Sequence, residues 1–201
     1  MQPSYKHYLK IIKNTCTGHE GPVTIPSEEL ADLARLAEEH CTVPFVLSSF
    51  RGTPFYSSML QRTRSMMLNY YQIDQFTRHT VSLLEDNGID CILLKGISLA
   101  SCYPVPEYRK LGDLDLYISR KSDISKAQKL LESHGYIAEN ELSDHHLTYH
   151  YTFPKTGRRF LLELHYRVVG MYQYERANEI VDQVYSFENL VPVSQTINDF
   201  T

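Results

Sequence analysis

Two aspartates stand two apart in the segment Gly112-Asp113-Leu114-Asp115-Leu116. Side chains two apart on a strand share a face. Both carboxylates therefore point one way, and Leu114 and Leu116 the other. Paired carboxylates repel, and each is costly to bury without a cation. Aspartate is also disfavoured inside strands. A divalent ion resolves both conflicts, and Mg²⁺ commonly takes one or two carboxylates with waters and substrate phosphates. Taken alone, Asp-x-Asp is common and better describes an edge strand with its polar face in water.

Three neighbouring segments add to the pair. Lys95-Gly96-Ile97-Ser98 follows an apolar run and opens a short helix. Backbone N–H groups at such a turn attract phosphate, and glycine permits close approach. Ser98 brings a hydroxyl and Lys95 a positive charge, although the same string describes a tight turn with a surface lysine. Tyr108-Arg109-Lys110 precedes the aspartates, and arginine grips phosphate oxygens in a bidentate way. A solvated basic loop fits that string equally well. On the segment from Arg159, Phe160, Leu162 and Leu164 share one face, while Glu163 and His165 share the other. Glu163 is then a candidate third carboxylate, or else part of a polar outer face. Asp144-His145-His146 and His150 suggest zinc, but the string lacks H-E-x-x-H. An alternating segment also holds His146 and His150 well apart. His145, His146 and His165 are expected at the rim of the site, and a zinc hydrolase is the weaker reading.

The elements that must position these residues fall into two regions. Residues 1–88 read as helical. Ser27 is expected to cap a helix whose apolar positions are Leu30, Leu33, Ala34 and Ala37. A long helix is expected from Ser57 to Glu85, with Gly88 past its end. From Ile89 the pattern becomes α/β. Strands are expected at Ile89–Leu94, Asp113–Ile118, Leu147–Phe153 and Arg159–Val168, the last two joined by the turn Pro154–Gly157. Helices are expected over Ser122–His134 and Arg176–Val184. The fold class is thus α/β (α+β), with residues 89–201 as the catalytic core.

Composition excludes several classes. The 201 residues carry 20 Lys+Arg and 24 Asp+Glu, a net charge of -4 that gives no strong nucleic-acid signal. No apolar run reaches the roughly 18–20 residues of a membrane helix, and the first residues lack a signal-peptide pattern. Cys16, Cys41, Cys91 and Cys102 have no paired short spacing. Cys91 and Cys102 are expected as buried thiols, and the compartment as cytoplasmic.

Together, "ILLKGISLASCYPVPEYRKLGDLDLYI", "LLESHGY" and "LLELHYRV" resemble the uncharacterised nucleotidyltransferase family of the DNA polymerase β-like superfamily. The resemblance covers roughly Ile89 to Val168. It implies a mixed β-sheet core flanked by helices and a two-metal site using Mg²⁺ or Mn²⁺. It further implies transfer of a nucleoside monophosphate from an NTP to a protein, RNA or small-molecule acceptor. On that likeness Asp113, Asp115 and Glu163 hold metal, and Gly96 and Ser98 hold the triphosphate. Lys95 and Arg109 are assigned to phosphate. Ile97 separates Gly96 from Ser98, where the superfamily turn often runs Gly-Gly or Gly-Ser. Many members of that family continue past the equivalent of residue 201, so the resemblance implies either a minimal member or a chain lacking a C-terminal substrate-binding part. The alternative is an inactive module of the same fold that binds a nucleotide or a protein partner.

Overall fold

A computed structural model describes residues 3–18, 23–118, 120–140, 143–186 and 189. The chain divides into two compact units. One runs to Gln72 and includes Leu99–Leu111; the other comprises Ile73–Ser98 and the residues from Gly112 onward. The division falls within the longest helix.

The first unit is helical. It holds α1 (Pro3–Thr17), α2 (Leu30–Glu39), α3 (Val43–Val46) and the beginning of α4 (Tyr56–Glu85). Its core joins Tyr8 and Ile11 to Leu33, Ala37, Val46, Phe50 and Met59. The expected cap at Ser27 is corrected. A 3₁₀ turn, Ser27–Glu29, starts there with Pro26 in the capping position. Ser27 thus lies inside the turn, and its hydroxyl donates to Glu28 instead of accepting a helix N–H. The 99–111 segment is tied to this unit by polar and aromatic contacts. Asn69 Nδ2 donates to the Leu111 carbonyl at 2.7 Å, the Tyr71 hydroxyl donates to Glu107, and Phe45 packs on Tyr103 and Tyr108.

The second unit is built on a mixed five-stranded sheet. Its strands are β1 (Cys91–Leu93), β2 (Leu114–Ile118), β3 (Ile137–Ala138), β4 (His146–Thr152) and β5 (Arg159–His165), in the order β1-β2-β5-β4-β3. Only β2 and β5 run parallel. The helices α5 (Ile97–Ala100), α6 (Lys121–Ser133) and α7 (Glu175–Val184) follow β1, β2 and β5. The short edge strand β3 carries no period-2 signal and was not expected.

Period-2 alternation gives this sheet two unlike faces. Leu114 and Leu116 pair with Leu162 and Leu164 across β2 and β5, and Tyr149 pairs with Leu162 across β4 and β5. All five are buried. Phe76 of α4 packs on this apolar face, its ring 4.9 Å from Phe160 and 6.0 Å from Tyr151. Thr80, one turn on, meets the Tyr136 hydroxyl at 2.8 Å, which satisfies two buried polar groups at once. The other face takes Asp115, Tyr117, Glu163, His165, His146 and Thr148. The apolar face thus supplies the stability, and the polar face is left for chemistry.

The cysteine expectation also needs correction. Cys102 is exposed and Cys91 half-buried; all four thiols are unpaired. The helix α5 makes a single turn, so Cys102 leaves it at the surface. Burial pushes the Cys91 thiol up to about 12, which removes it as a nucleophile near neutral pH. No helix among the described residues is long and apolar enough to cross a membrane.

The two-faced sheet makes Phe76 the keystone of the apolar layer. Phe76→Ala is expected to cost about 3–5 kcal/mol in urea unfolding, as for other large buried aromatics. Leu68→Ala on the same helix, where Leu68 is 57% exposed, should stay within about 0.5 kcal/mol.

Candidate active site

Asp115 is the second residue of β2, an interior strand flanked by β1 and β5. Its side chain has no solvent exposure. Burial alone would raise a carboxyl's proton affinity, yet hydrogen bonds from His165 and Lys95 outweigh it and hold Asp115 below the usual carboxylate range. Lys95 Nζ lies 2.9 Å from Asp115 Oδ1, and His165 Nε2 lies 3.1 Å from the same oxygen. The second oxygen, Oδ2, is equally buried and has no hydrogen-bond partner among the described residues.

Strand register brings the third carboxylate alongside. Parallel pairing sets Asp115 opposite Glu163 and Tyr117 opposite His165. Glu163 Oε2 lies 3.3 Å from His165 Nε2 and 3.9 Å from Lys95 Nζ. Burial first, and the adjacent Asp115 carboxylate second, raise the proton affinity of Glu163. One ligand atom each from Asp115, Glu163 and His165 lies within 4.8 Å of the other two.

The turn after β1 covers this cluster. Gly96 adopts φ +65°, a left-handed conformation that suits glycine. A Cβ built there would meet the Asp113 carbonyl at 3.6 Å and Asp115 Oδ2 at 3.9 Å. The lack of a side chain thus leaves space over the orphaned oxygen. The Leu94 N–H donates to the Asp115 carbonyl at 3.2 Å, which pins the turn to β2. Lys95 is the exposed member, with 54% of its side chain open to solvent. The opposing carboxylates raise its proton affinity, chiefly through the hydrogen bond to Asp115.

The structure treats the sequence-derived site residues unequally. Lys95, Gly96, Asp115, Glu163 and His165 come together. Asp113 lies one residue before β2 and is half-buried. Its charge reaches both Lys95 and Glu163, but its carboxylate joins no three-residue ligand cluster among the described residues. The Ser98 hydroxyl turns back on the chain and donates to the carbonyls of Leu94 and Lys95 at 3.2 and 3.3 Å. Arg109 lies in the 99–111 segment of the helical unit, where Nη1 donates to the Tyr103 hydroxyl at 3.1 Å.

His145 and His146 sit beside His165 on the polar face. Antiparallel pairing of β4 with β5 sets His146 opposite His165. Burial and the adjacent imidazoles lower the proton affinity of His146. His150 instead contacts Glu139. The Lys95–Asp115 ion pair has no motif, since its geometry depends on the β1–β2 turn. The His146–His165 contact, by contrast, could be counted outward from the Pro154–Gly157 turn.

These residues fit a hard divalent cation. Two adjacent carboxylates, an orphaned buried oxygen and the space over Gly96 form an oxygen-rich cluster suited to Mg²⁺ or Mn²⁺. Asp115 and Glu163 would be its protein ligands, with Asp113 at the edge.

No curated protein and no solved structure matches the chain. The sequence model described as uncharacterised nucleotidyltransferase matches residues 26–194, most of the chain, and takes in every residue of the cluster. The chain belongs to this uncharacterised nucleotidyltransferase family.

Proposed function

We propose that this chain transfers a nucleoside monophosphate from an NTP to a hydroxyl-bearing acceptor at the Asp115–Glu163 cluster. The observation that carries the reading is the buried, unpartnered Oδ2 of Asp115 facing the space over Gly96. Family membership supports an NTP as substrate.

In this reading Asp113, Asp115 and Glu163 hold Mg²⁺ or Mn²⁺. The bound metal supplies charge neutralisation for the attacking and leaving oxygens. His165 keeps Asp115 anionic by hydrogen bonding its Oδ1. Lys95 sits on a flexible four-carbon stem, releases Asp115 and turns to the phosphates. Gly96 lets its backbone approach the triphosphate. Ser98 contributes by bracing the turn, since its hydroxyl is engaged with backbone carbonyls. The acceptor oxygen bonds to the α-phosphorus as the α–β bridging P–O bond breaks, and pyrophosphate leaves with the electron pair. The acceptor proton is released to solvent water, since Glu163 is engaged as a ligand. Positioning and preorganised charge supply most of the rate. With unpaired thiols and no membrane-crossing helix among the described residues, the cytoplasm is the proposed compartment.

One observation favours a second reading, an inactive nucleotide- or partner-binding module. Lys95 Nζ already sits against Asp115, where it neutralises one of the acids. Incubation of the purified chain with each NTP, Mg²⁺ or Mn²⁺ and a cell extract separates the two. Pyrophosphate release and a nucleotide mass added to an acceptor are expected. NTP binding in calorimetry without pyrophosphate release supports the inactive module. Asp115→Asn and Asp113→Asn should each lower transfer by at least about 100-fold with an unchanged circular dichroism spectrum; wild-type rates in either would overturn the metal assignment.

The crowded acids also predict a stability signature. Glu163 binds its proton more tightly in the folded protein than in the unfolded chain. Stability is therefore lost as pH rises from the unfolded glutamate value, about 4.3, through the raised native one. Asp115 has the opposite sign, and its contribution is lost as pH falls. Without metal, Glu163→Gln should melt higher than wild type at pH 7, and the gap should shrink toward pH 4. A lower melting temperature for the variant at pH 7 would contradict the repulsion.

A further inference from the structure

The transfer reading leaves two imidazoles, His145 and His146, unused beside His165 on the same sheet face. His145, His146 and His165 each offer a ring nitrogen within 4.8 Å of the other two. His145 Nε2 lies 3.0 Å from His146 Nδ1, with the rings edge-on. Zinc–nitrogen bonds of roughly 2.0–2.1 Å at a tetrahedral angle place two ligand nitrogens about 3.3 Å apart. The spacing of this pair is already close to that of neighbouring ligands on one ion.

The groups behind the rings orient them as ligands. His145 Nδ1 faces Asp144 Oδ1 at 2.7 Å, and Asp144 Oδ2 accepts the Met171 N–H at 2.8 Å. A proton on His145 Nδ1 leaves Nε2 with a lone pair aimed at His146. His165 Nδ1 faces the Arg167 carbonyl at 3.3 Å. The Ser143 hydroxyl lies 3.1 Å from His145 Nδ1 and 3.2 Å from His146 Nδ1. Imidazoles anchored at one nitrogen by a carboxylate or carbonyl are the usual arrangement of metal-binding histidines. A neutral His165 has one N–H but faces acceptors on both sides, the Arg167 carbonyl and the Asp115–Glu163 pair.

We propose that His145, His146 and His165 form a second cation site, for Zn²⁺ or a similar borderline transition ion, next to the carboxylate pocket. Imidazole nitrogen suits zinc, whereas the carboxylate pocket suits Mg²⁺. Three protein ligands leave a fourth position open. The His145 side chain is 26% exposed, which gives the ion an entry from solvent. Because His165 belongs to both clusters, zinc competes with the His165–Asp115 hydrogen bond. The site rests on these side chains alone and does not require nucleotidyl transfer.

The test uses the full chain without a polyhistidine tag, titrated with ZnCl₂ in excess Mg²⁺. One equivalent of zinc should bind. His146→Ala should weaken binding by more than 10-fold, and Asp144→Ala by about 10–100-fold, the usual effect of removing a carboxylate behind a ligand histidine. Asp144 is exposed, so its variant retains the fold. Cobalt substitution in the wild type gives a reading that needs no variant: the visible spectrum of a four-coordinate, imidazole-bound ion. Absence of zinc binding or of that spectrum would overturn the proposal. So would zinc binding that survives His146→Ala and Asp144→Ala but is lost in Asp115→Asn.

Discussion

A fully desolvated carboxylate is the feature on which the second unit depends. Asp115 sits in an interior strand with no solvent to stabilise its charge, and a bare carboxylate there would cost several kcal/mol. Lys95 and His165 both address Oδ1, which leaves Oδ2 buried and unanswered. Glu163 adds a second acid at the same depth of the sheet, and Asp113 a third at its mouth. Three carboxylates thus face a single ammonium. Such an arrangement stabilises no fold by itself and invites a cation.

The rest of the unit tolerates this because the sheet keeps its functions on opposite faces. The leucines of β2 and β5 and the aromatic layer on Phe76 bury the apolar side, so the polar side is released from any duty to stabilise. A one-residue slip of β2 against β5 would put Asp115 among leucines and lose both faces at once. The register that fixes the core therefore also fixes the distance from Asp115 to Glu163. Gly96 completes the arrangement from outside the strands, since its left-handed backbone brings the β1 turn over Oδ2 without filling the space there.

Much of this was legible in the sequence because period-2 alternation is a strong signal. Phe160, Leu162 and Leu164 opposite Glu163 and His165, and the turn at Pro154–Gly157, were readable before any coordinates. The expected strands correspond to β1, β2, β4 and β5, with ends that agree or differ by one to three residues. What escaped depends on contacts between elements distant in sequence. No motif announces that Lys95 will pair with Asp115, or that Ser98 will spend its hydroxyl on backbone carbonyls. Arg109 sits near the aspartates in sequence, yet its segment is held to the helical unit by Asn69, Tyr71 and Phe45. Cys102 looked buried from its apolar neighbours, but a one-turn helix delivers it to the surface. Ser27 looked like a cap, but Pro26 starts the turn one residue sooner.

The most direct measurement of the central claim is a crystal structure of the chain soaked with Mn²⁺ and a non-hydrolysable NTP, read by anomalous scattering. The account predicts an anomalous peak in contact with Asp115 Oδ2 and Glu163, with Lys95 Nζ withdrawn from Asp115 toward the phosphates. A map with no peak in that pocket, and Lys95 still bridging Asp115 and Glu163, would contradict it.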